Sequence, residues 1–394
     1  MRVAFLTTDN RDQFKDYGAP APCFGPAPEA LLQGFALLPE LEIHVVACAR
    51  AEMRSPEKLA PNVFFHCLIV PKLGWMRTLF QGCILSVRKK LKEIQPDLVH
   101  GQGTEGHNSL AAVFSGFPNV CTIHGNMRLI ARLERPNPLS YNWLAARLES
   151  FTIPRSLGIV CITHHTKSAV TALARRTWVV PNAVDPSFFQ IQPHATPNAL
   201  PRILCVGRVC PLKNQNALIQ ALDPLATRRK FELVFVGNVN ENEPYGAEFS
   251  RLVDARPWCR RAGFADREDL KAALSEATLL ALTSLEENCP MVILEAMAAG
   301  VPVVAAKVGG VPDLIEEDKT GWFCDPRDRA DMRAGIEKVL ANPPRMTEVA
   351  GLAKLRAHEL FHPKVVAQRH IEIYHEILRD SKPIAVKPRH HHRM

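Results

Sequence analysis

From end to end, the chain is built of short unbroken runs of Val, Ile and Leu separated by stretches of helical periodicity. Candidate strands lie at residues 3–6, 42–47, 63–69, 98–100, 120–124 and 158–162 in the first half, and at 202–206, 232–236, 279–283 and 303–305 in the second. Runs without polar alternation suit strands covered on both faces of a parallel sheet. Helical stretches fall at 27–38, 75–94, 139–151, 216–222 and 267–275. Strand–helix–strand repetition predicts a doubly wound α/β architecture. The pattern restarts near residue 200, after the polar, proline-bearing segment 190–198. That segment reads as an interdomain linker, dividing a first domain (1–189) from a second that starts at 199. In such sheets ligands bind beyond the carboxyl ends of the strands, so functional residues should follow strands directly.

Composition sets bounds on this picture. A length of 394 residues predicts two or three domains. With 47 % hydrophobic and 22 % charged residues, cores of ordinary size need no disulfide or metal to hold them. The eleven cysteines are scattered and none forms a C-x-x-C pair. Neither a zinc site nor a disulfide framework is therefore expected, and most cysteines read as small buried residues of a reduced, cytoplasmic protein. No apolar run is long enough for a membrane span. The N-terminus enters a strand pattern at once, unlike a signal peptide. A net charge of +8 suits phosphate-bearing ligands, an anionic membrane face or nucleic acid. No nucleic-acid-binding module is recognisable, so nucleic acid is not an expected partner. Part of the charge lies in the tail, with His390, His391 and His392. The histidines could chelate a metal, but in a terminus they read as incidental.

Two constellations carry chemistry. The strand 202–206 runs into Gly207, then Arg208, with Lys213 five residues on. These two cations near the start of a helix offer what a diphosphate needs, Arg by bidentate bonding and Lys as a point charge. The second runs from Glu286-Glu287-Asn288-Cys289-Pro290-Met291 to Glu295 and Gly300. Glu287 falls in a loop after a strand and Glu295 on the following helix. Carboxylates at a cleft accept hydrogen bonds from vicinal hydroxyls of a sugar or a ribose. Taken alone, Arg208 and Lys213 read more readily as solvated surface cations, and Glu295 as an exposed residue beside a core face.

Glu-x7-Glu leading into Glu295-Ala296-Met297-Ala298-Ala299-Gly300-Val301-Pro302 resembles the donor-site signature of the family 4 retaining glycosyltransferases. Val308-Gly309-Gly310-Val311-Pro312-Asp313 and Thr320-Gly321-Trp322 extend the resemblance. Gly207-Arg208 with Lys213 stands where that family has its phosphate-binding pair. Val180-Pro181-Asn182-Ala183-Val184-Asp185 resembles its turn at the end of the first domain, and Thr122-Ile123-His124-Gly125 the segment that brings a histidine to the donor sugar.

The resemblance implies a GT-B fold, two Rossmann-like domains facing a cleft: 1–189 on the acceptor side and 199–360 on the donor side. A terminal helix at 361–380, overlapping a helical pattern over 357–377, would cross back to the first domain. It implies that Arg208 and Lys213 neutralise the diphosphate of a nucleotide-sugar donor. Glu287 would contact the sugar, with the backbone at Cys289, Pro290 and Met291 nearby. Glu295 would hold the ribose and His124 would reach across the cleft. Transfer would go to a glycan or lipid-linked acceptor with retention. No Asp-x-Asp pair is present, so no metal and no cofactor is expected. The basic stretch 75–94 (Arg77, Arg88, Lys89, Lys90 and Lys92 with Trp75, Leu79, Phe80, Ile84 and Leu85) reads either as a helix packed on the sheet or as a peripheral contact with the inner membrane face.

Some positions depart from the family or point elsewhere. Only Gly25 stands where the family often has a Gly-Gly pair, and it is expected to let backbone approach donor phosphate or acceptor. Ala183 replaces a turn glycine, which predicts a strained turn or one of another type. Gly101-Gln102-Gly103-Thr104-Glu105-Gly106 matches a dinucleotide fingerprint. No acidic partner follows at about 20 residues, so it reads better as an acceptor-side loop with His100 nearby. His164 and His165 are candidates to face the cleft. The base-selecting contacts are expected near Arg261-Ala262-Gly263-Phe264. A nucleotide-sugar epimerase or hydrolase on the same fold, or a non-catalytic binding scaffold, are the competing readings.

Overall fold

The computed structural model describes residues 1–134, 136–138, 140–192, 200–263 and 266–381. Residues 193–198 of the expected linker, Phe264, and the tail with its three histidines lie outside the described residues. The first sheet contains β1 (Arg2–Leu6), β2 (Glu42–Ala49), β3 (Lys58–Ala60), β4 (Val63–Ile69), β5 (Leu98–Gln102), β6 (Asn119–Ile123), β7 (Ile159–Cys161) and β8 (Thr177–Val179). Its order is β3-β4-β2-β1-β5-β6-β7-β8, parallel except for β3. The second contains β9 (Arg202–Val206), β10 (Glu232–Val236), β11 (Cys259–Gly263), β12 (Leu279–Leu282), β13 (Val303–Ala306) and β14 (Trp322–Cys324), in the parallel order β11-β10-β9-β12-β13-β14. This is the doubly wound α/β architecture expected, twice over.

In each sheet the chain reverses its direction of growth at the first strand: β1 pairs with β2 and β5, and β9 pairs with β10 and β12. The crevices beyond the carboxyl ends of β1 and β9 are therefore the places where a ligand is expected. The central strands β1, β5, β6, β12 and β13 are almost wholly buried, as their unbroken apolar runs require.

The strands missing from the sequence reading are β3, β8, β11 and β14. Three of them (β3, β8 and β11) are edge strands that lack a buried run; in β11, Arg260 and Arg261 point to solvent. The fourth, the edge strand β14, is only Trp-Phe-Cys.

Two predicted helices break. Residues 75–80 are not helical: 3-10 turns at Lys72–Gly74 and Met76–Thr78 precede the helix Gln81–Ile94, and Leu79 and Phe80 take positive φ of 51° and 63°. The pattern over 357–377 is two helices, Pro343–Phe361 and Pro363–Ser381. Pro363 supplies no N–H and keeps His362 extended (φ −63°, ψ 134°), so the chain turns there.

The second of these helices packs on Pro26–Ala36 of the first domain. Gly34 makes the approach possible, because a Cβ there would lie 2.2 Å from the carbonyl oxygen of Pro363. Tyr374, Val366 and Ala367 join the core around Phe5 and Phe35. Among the described residues, no helix is long and apolar enough to cross a membrane.

Candidate active site

Between the sheets lies a cavity of about 390 Å³. The first domain lines it with Thr7 and Thr8 after β1, Gly25–Pro28, Gln102, Glu105 and His124, and the second with Glu287, Asn288, Cys289 and Met291. Of the predicted site residues, His124, Glu287, Gly25, Cys289 and Met291 thus meet on one cavity. Pro290 is buried as the cap of the helix Met291–Ala299 and does not line it; Gly207, Arg208, Lys213 and Glu295 stand outside this wall.

Lys213 nevertheless belongs to the same group, because its Nζ is ion-paired with Glu287 Oε1. Ser284 Oγ donates to the same oxygen at 2.6 Å. A backbone bond from Leu285 N to Leu212 O (2.8 Å) joins the two loops that carry the pair. The two residues expected to serve phosphate and sugar separately are here one unit. Gly207 leaves β9 at φ 146°, and Gly237 approaches so closely that a Cβ on it would lie 2.1 Å from the Gly207 oxygen. That packing starts the loop. Gln215 then braces it, donating from Nε2 to the Arg208 carbonyl at 3.0 Å. Arg208 itself is exposed, free to swing toward an anion.

The loop that carries Glu287 is fastened to the first domain by Asn288. Its Nδ2 donates to the His124 carbonyl (2.6 Å), and its Oδ1 accepts from Thr163 Oγ1 (2.8 Å) and Thr166 Oγ1 (2.5 Å). Gly310 N donates to the Glu287 carbonyl at 3.0 Å. His164 N donates to Asp313 Oδ2 (2.5 Å), and His165 Nε2 lies 3.2 Å from Glu286 Oε1. Both histidines therefore sit at the domain interface. On the other flank Arg267 reaches Glu29 (2.9 Å) and Asp185 (2.8 Å) of the first domain.

Glu295 is buried rather than exposed, with a carboxyl raised to about 7. Burial does most of this; Arg267 pulls the other way and Asp185 adds to the rise. A carboxylate so desolvated is ready to accept hydrogen bonds from a hydroxylated ligand.

His124 follows β6, and its Nε2 lies 2.8 Å from Gln102 Oε1. Gln102 Nε2 donates to His100 Nε2 at 2.9 Å, and His100 Nδ1 lies 2.6 Å from the Tyr374 hydroxyl. With the amide oriented this way, His124 carries its proton on Nε2 and His100 on Nδ1. Burial and His370 hold the His124 imidazole down at about 4, against the opposing effect of a hydrogen bond to the Asn182 side chain. At neutral pH it is therefore an uncharged hydrogen-bonding ring. His100 is wholly buried against the terminal helix instead of facing the cleft.

Gly25 lines the cavity with φ −65°, and a Cβ on it would meet no protein atom nearer than 3.8 Å, so the space in front of it is open to a ligand. Ala183 is buried and is not among the residues with positive φ, so of the two expected forms its turn is the one of another type, without left-handed strain. In the loop 101–106, β5 lies between β1 and β6, and a Cβ on Gly101 would crowd Ser109 Cα at 2.9 Å. Its glycines serve strand–helix packing and a turn at Gly103 (φ 81°), and Gln102 and Glu105 face the cavity. Sequence reasoning gave no role to Asn288, Gln102, Asn182 or Arg267. Asn288 had a signal as the residue after Glu287, Asn182 as part of the turn 180–185 and Gln102 as part of the glycine loop 101–106; Arg267 had none.

Comparison with known proteins agrees with this geometry. The model of the glycosyl transferases group 1 matches residues 187–355, and that of Glycosyltransferase Family 4 matches residues 36–188. The chain is 26 % identical to the MMP alpha-(1->4)-mannosyltransferase of Mycolicibacterium hassiacum over 72 % of this chain and 71 % of that protein. Sucrose-phosphate synthase from Thermosynechococcus elongatus superposes with a TM-score of 0.75 at 18 % identity, covering 97 % of this chain and 100 % of that one. Anabaena HepE in complex with UDP-glucose gives 0.67 at 19 %, covering 95 % and 100 %. With both halves of the cleft accounted for, the chain belongs to the family 4 glycosyltransferases, of GT-B fold.

Proposed function

We propose that this glycosyltransferase moves a hexose from a nucleoside diphosphate to an acceptor hydroxyl with retention of anomeric configuration. The observation that carries the reading is the Lys213–Glu287 pair on the donor wall of a cavity whose opposite wall holds His124. Arg208 and Lys213 neutralise the diphosphate as it leaves, the work a divalent metal would otherwise do. Glu287 and His124 hold the sugar hydroxyls from two sides, and Glu295 takes the ribose. The acceptor oxygen attacks the anomeric carbon from the face the phosphate leaves, and the phosphate oxygen takes its proton. The acceptor is a glycan or lipid-linked alcohol of surface-polysaccharide assembly. Exposed Leu73, Leu79 and Leu85 beside Arg77, Arg88 and Lys89 favour a peripheral contact with an anionic inner membrane face.

Thermal shifts with UDP, GDP and ADP test the donor site. A ligand at about 100 times its Kd raises stability by about 2.7 kcal/mol. One nucleotide is expected to shift the wild type and leave the Arg208→Ala/Lys213→Ala variant unmoved. No shift with any nucleotide at millimolar concentration would overturn the reading. Product NMR then decides retention, with an inverted anomer refuting it.

A further inference from the structure

In the core on one face of the first sheet, three buried side chains far apart in sequence come together. Cys48 lies near the end of β2, Cys83 in the first turns of the helix Gln81–Ile94, and His107 opens the helix His107–Val113. The two sulfurs and a ring nitrogen of His107 all lie within 4.8 Å of one another. His107 Nε2 is buried with no hydrogen-bond partner. A neutral imidazole nitrogen left unpaired in an apolar core is costly, and an absent ligand is the simplest account of it. Phe80 and Trp75 pack against the ring at 5.8 and 5.3 Å, and the Arg50 guanidinium covers Trp75 at 4.1 Å. Neither these rings nor the guanidinium hydrogen-bonds to Nε2.

We propose that Cys48, Cys83 and His107 form a structural zinc(II) site. Tetrahedral zinc with bonds of about 2.3 Å to sulfur and 2.0 Å to nitrogen sets its ligands about 3.5–3.8 Å apart. The observed cluster closes on such an ion with shifts of an ångström or less. Binding releases the two thiol protons to solvent. Two thiolates and one neutral imidazole on a dication make a neutral complex, the only charge state an apolar core accepts at little cost. Among the described residues no fourth His, Cys, Asp or Glu joins the group, so a water completes the tetrahedron. The ion would staple β2, the helix Gln81–Ile94 and the helix that follows the cavity-lining loop at Glu105. The absence of any C-x-x-C spacing hid the site from a reading of the sequence alone.

The test uses the full-length chain with His390→Ala, His391→Ala and His392→Ala, which removes chelation by the tail. Reduced, chelator-stripped protein is reloaded with zinc or cobalt(II). The expected result is one zinc per chain by elemental analysis. Cobalt should give a tetrahedral d–d spectrum with thiolate charge-transfer bands, read on unaltered cysteines. Cys48→Ser and Cys83→Ser should each lose the tight zinc and the charge-transfer intensity, whereas Cys259→Ser should keep both. Metal-free wild type after reloading, a cobalt spectrum without thiolate bands, zinc retained in both serine variants, or a Cys48–Cys83 disulfide in the freshly isolated protein would each overturn the proposal.

Discussion

The side-chain amide of Asn288 donates to the main-chain carbonyl of His124 at 2.6 Å, so the residue next to Glu287 in the donor loop holds the strand end that presents the histidine. The same side chain accepts from Thr163 and Thr166. A single amide thus aligns both walls of the cavity, and its removal should weaken both the interface and catalysis.

For Asn288→Ala, about 1–3 kcal/mol of interface stabilisation is at risk, because the His124 carbonyl and two hydroxyls lose a partner. A fall of about 10-fold in kcat/KM is expected, with a Tm lowered by a few degrees. Asn288→Asp should be at least as damaging, since an oxygen would face the His124 carbonyl. Steady-state kinetics with the donor identified by thermal shift check both.

Arg208 and Lys213 should differ in how they fail. Losing either should cost about 2–4 kcal/mol of transition-state stabilisation, or 10²–10³ in rate. Lys213→Ala also strands Glu287, which keeps only Ser284 as a side-chain partner. It should therefore raise the donor KM as well, whereas exposed Arg208 should act mainly on kcat. A double variant no worse than Lys213→Ala alone would show the two acting as one unit.

How much of this was legible beforehand follows from where each signal lies. The strands that position the site are central ones, and burial on both faces writes them as unbroken apolar runs. Edge strands such as β11 bury little and leave no such trace. Glu287, Lys213 and His124 could be found because each follows a strand. Their mutual arrangement could not: Lys213 and Glu287 are 74 residues apart and Asn288 and His124 are 164 apart. Arg267, at the start of a helix, looks like any surface cation until Glu29 and Asp185 stand opposite it. His100 was misplaced because depth along β5 decides, not face: His100 and Gln102 share one face of the strand, but Gln102 at its end reaches the cavity, whereas His100, two residues back, is covered by Tyr374 of the terminal helix.

Acid should destabilise the fold. Burial holds His66, His107, His124 and His370 at about 4, and His100 well below its ordinary value. Unfolded, each titrates near 6.5, so between those values the unfolded chain binds protons the native one refuses. That stability is present above pH ~6.5 and is lost as pH falls toward about 4. Glu295, raised to about 7, works in the opposite sense, as do Glu105 and Glu149, which burial also raises. His362, lowered chiefly by burial, adds to the imidazoles, so the groups that lose stability in acid outnumber the raised carboxyls. The Tm of metal-free protein should fall from pH 6.5 to 5, less steeply in His370→Gln, and an unchanged Tm would contradict the assignment.

Glu295→Gln should separate stability from binding. Above pH ~7 the wild type carries a charge in a desolvated position, at a cost of about 1–3 kcal/mol that the amide removes. The variant should melt higher at pH 8 and near wild type at pH 5.5. Its donor-nucleotide affinity should fall roughly 10-fold, because an amide offers one acceptor where the carboxylate offers two. Equal affinity in both proteins would remove Glu295 from the ribose site.

Gly310→Ala tests whether the seating of the two domains is itself part of the chemistry. Gly310 has φ −92°, open to any residue, so an alanine adds no backbone strain. Its Cβ would, however, lie 2.0 Å from the Asn288 carbonyl oxygen and 2.5 Å from Thr163 Cγ2. One methyl group therefore presses apart the donor loop and the first domain at the point Asn288 fastens. The sheet around β12 and β13 does not feel it, so the second domain should keep its fold and its Tm should fall by only ~1–3 kcal/mol equivalent. Displacement of about an ångström between Glu287 and His124 is enough to cost roughly 10² in rate. The expected result is a kcat/KM lowered about 100-fold with nucleotide binding to the donor domain retained. Gly351→Ala, at an exposed helical site with nothing within 4 Å, should leave activity unchanged and stabilise slightly. Wild-type kcat/KM in Gly310→Ala would mean that the interface tolerates a wider gap and that His124 need not meet Glu287 across it.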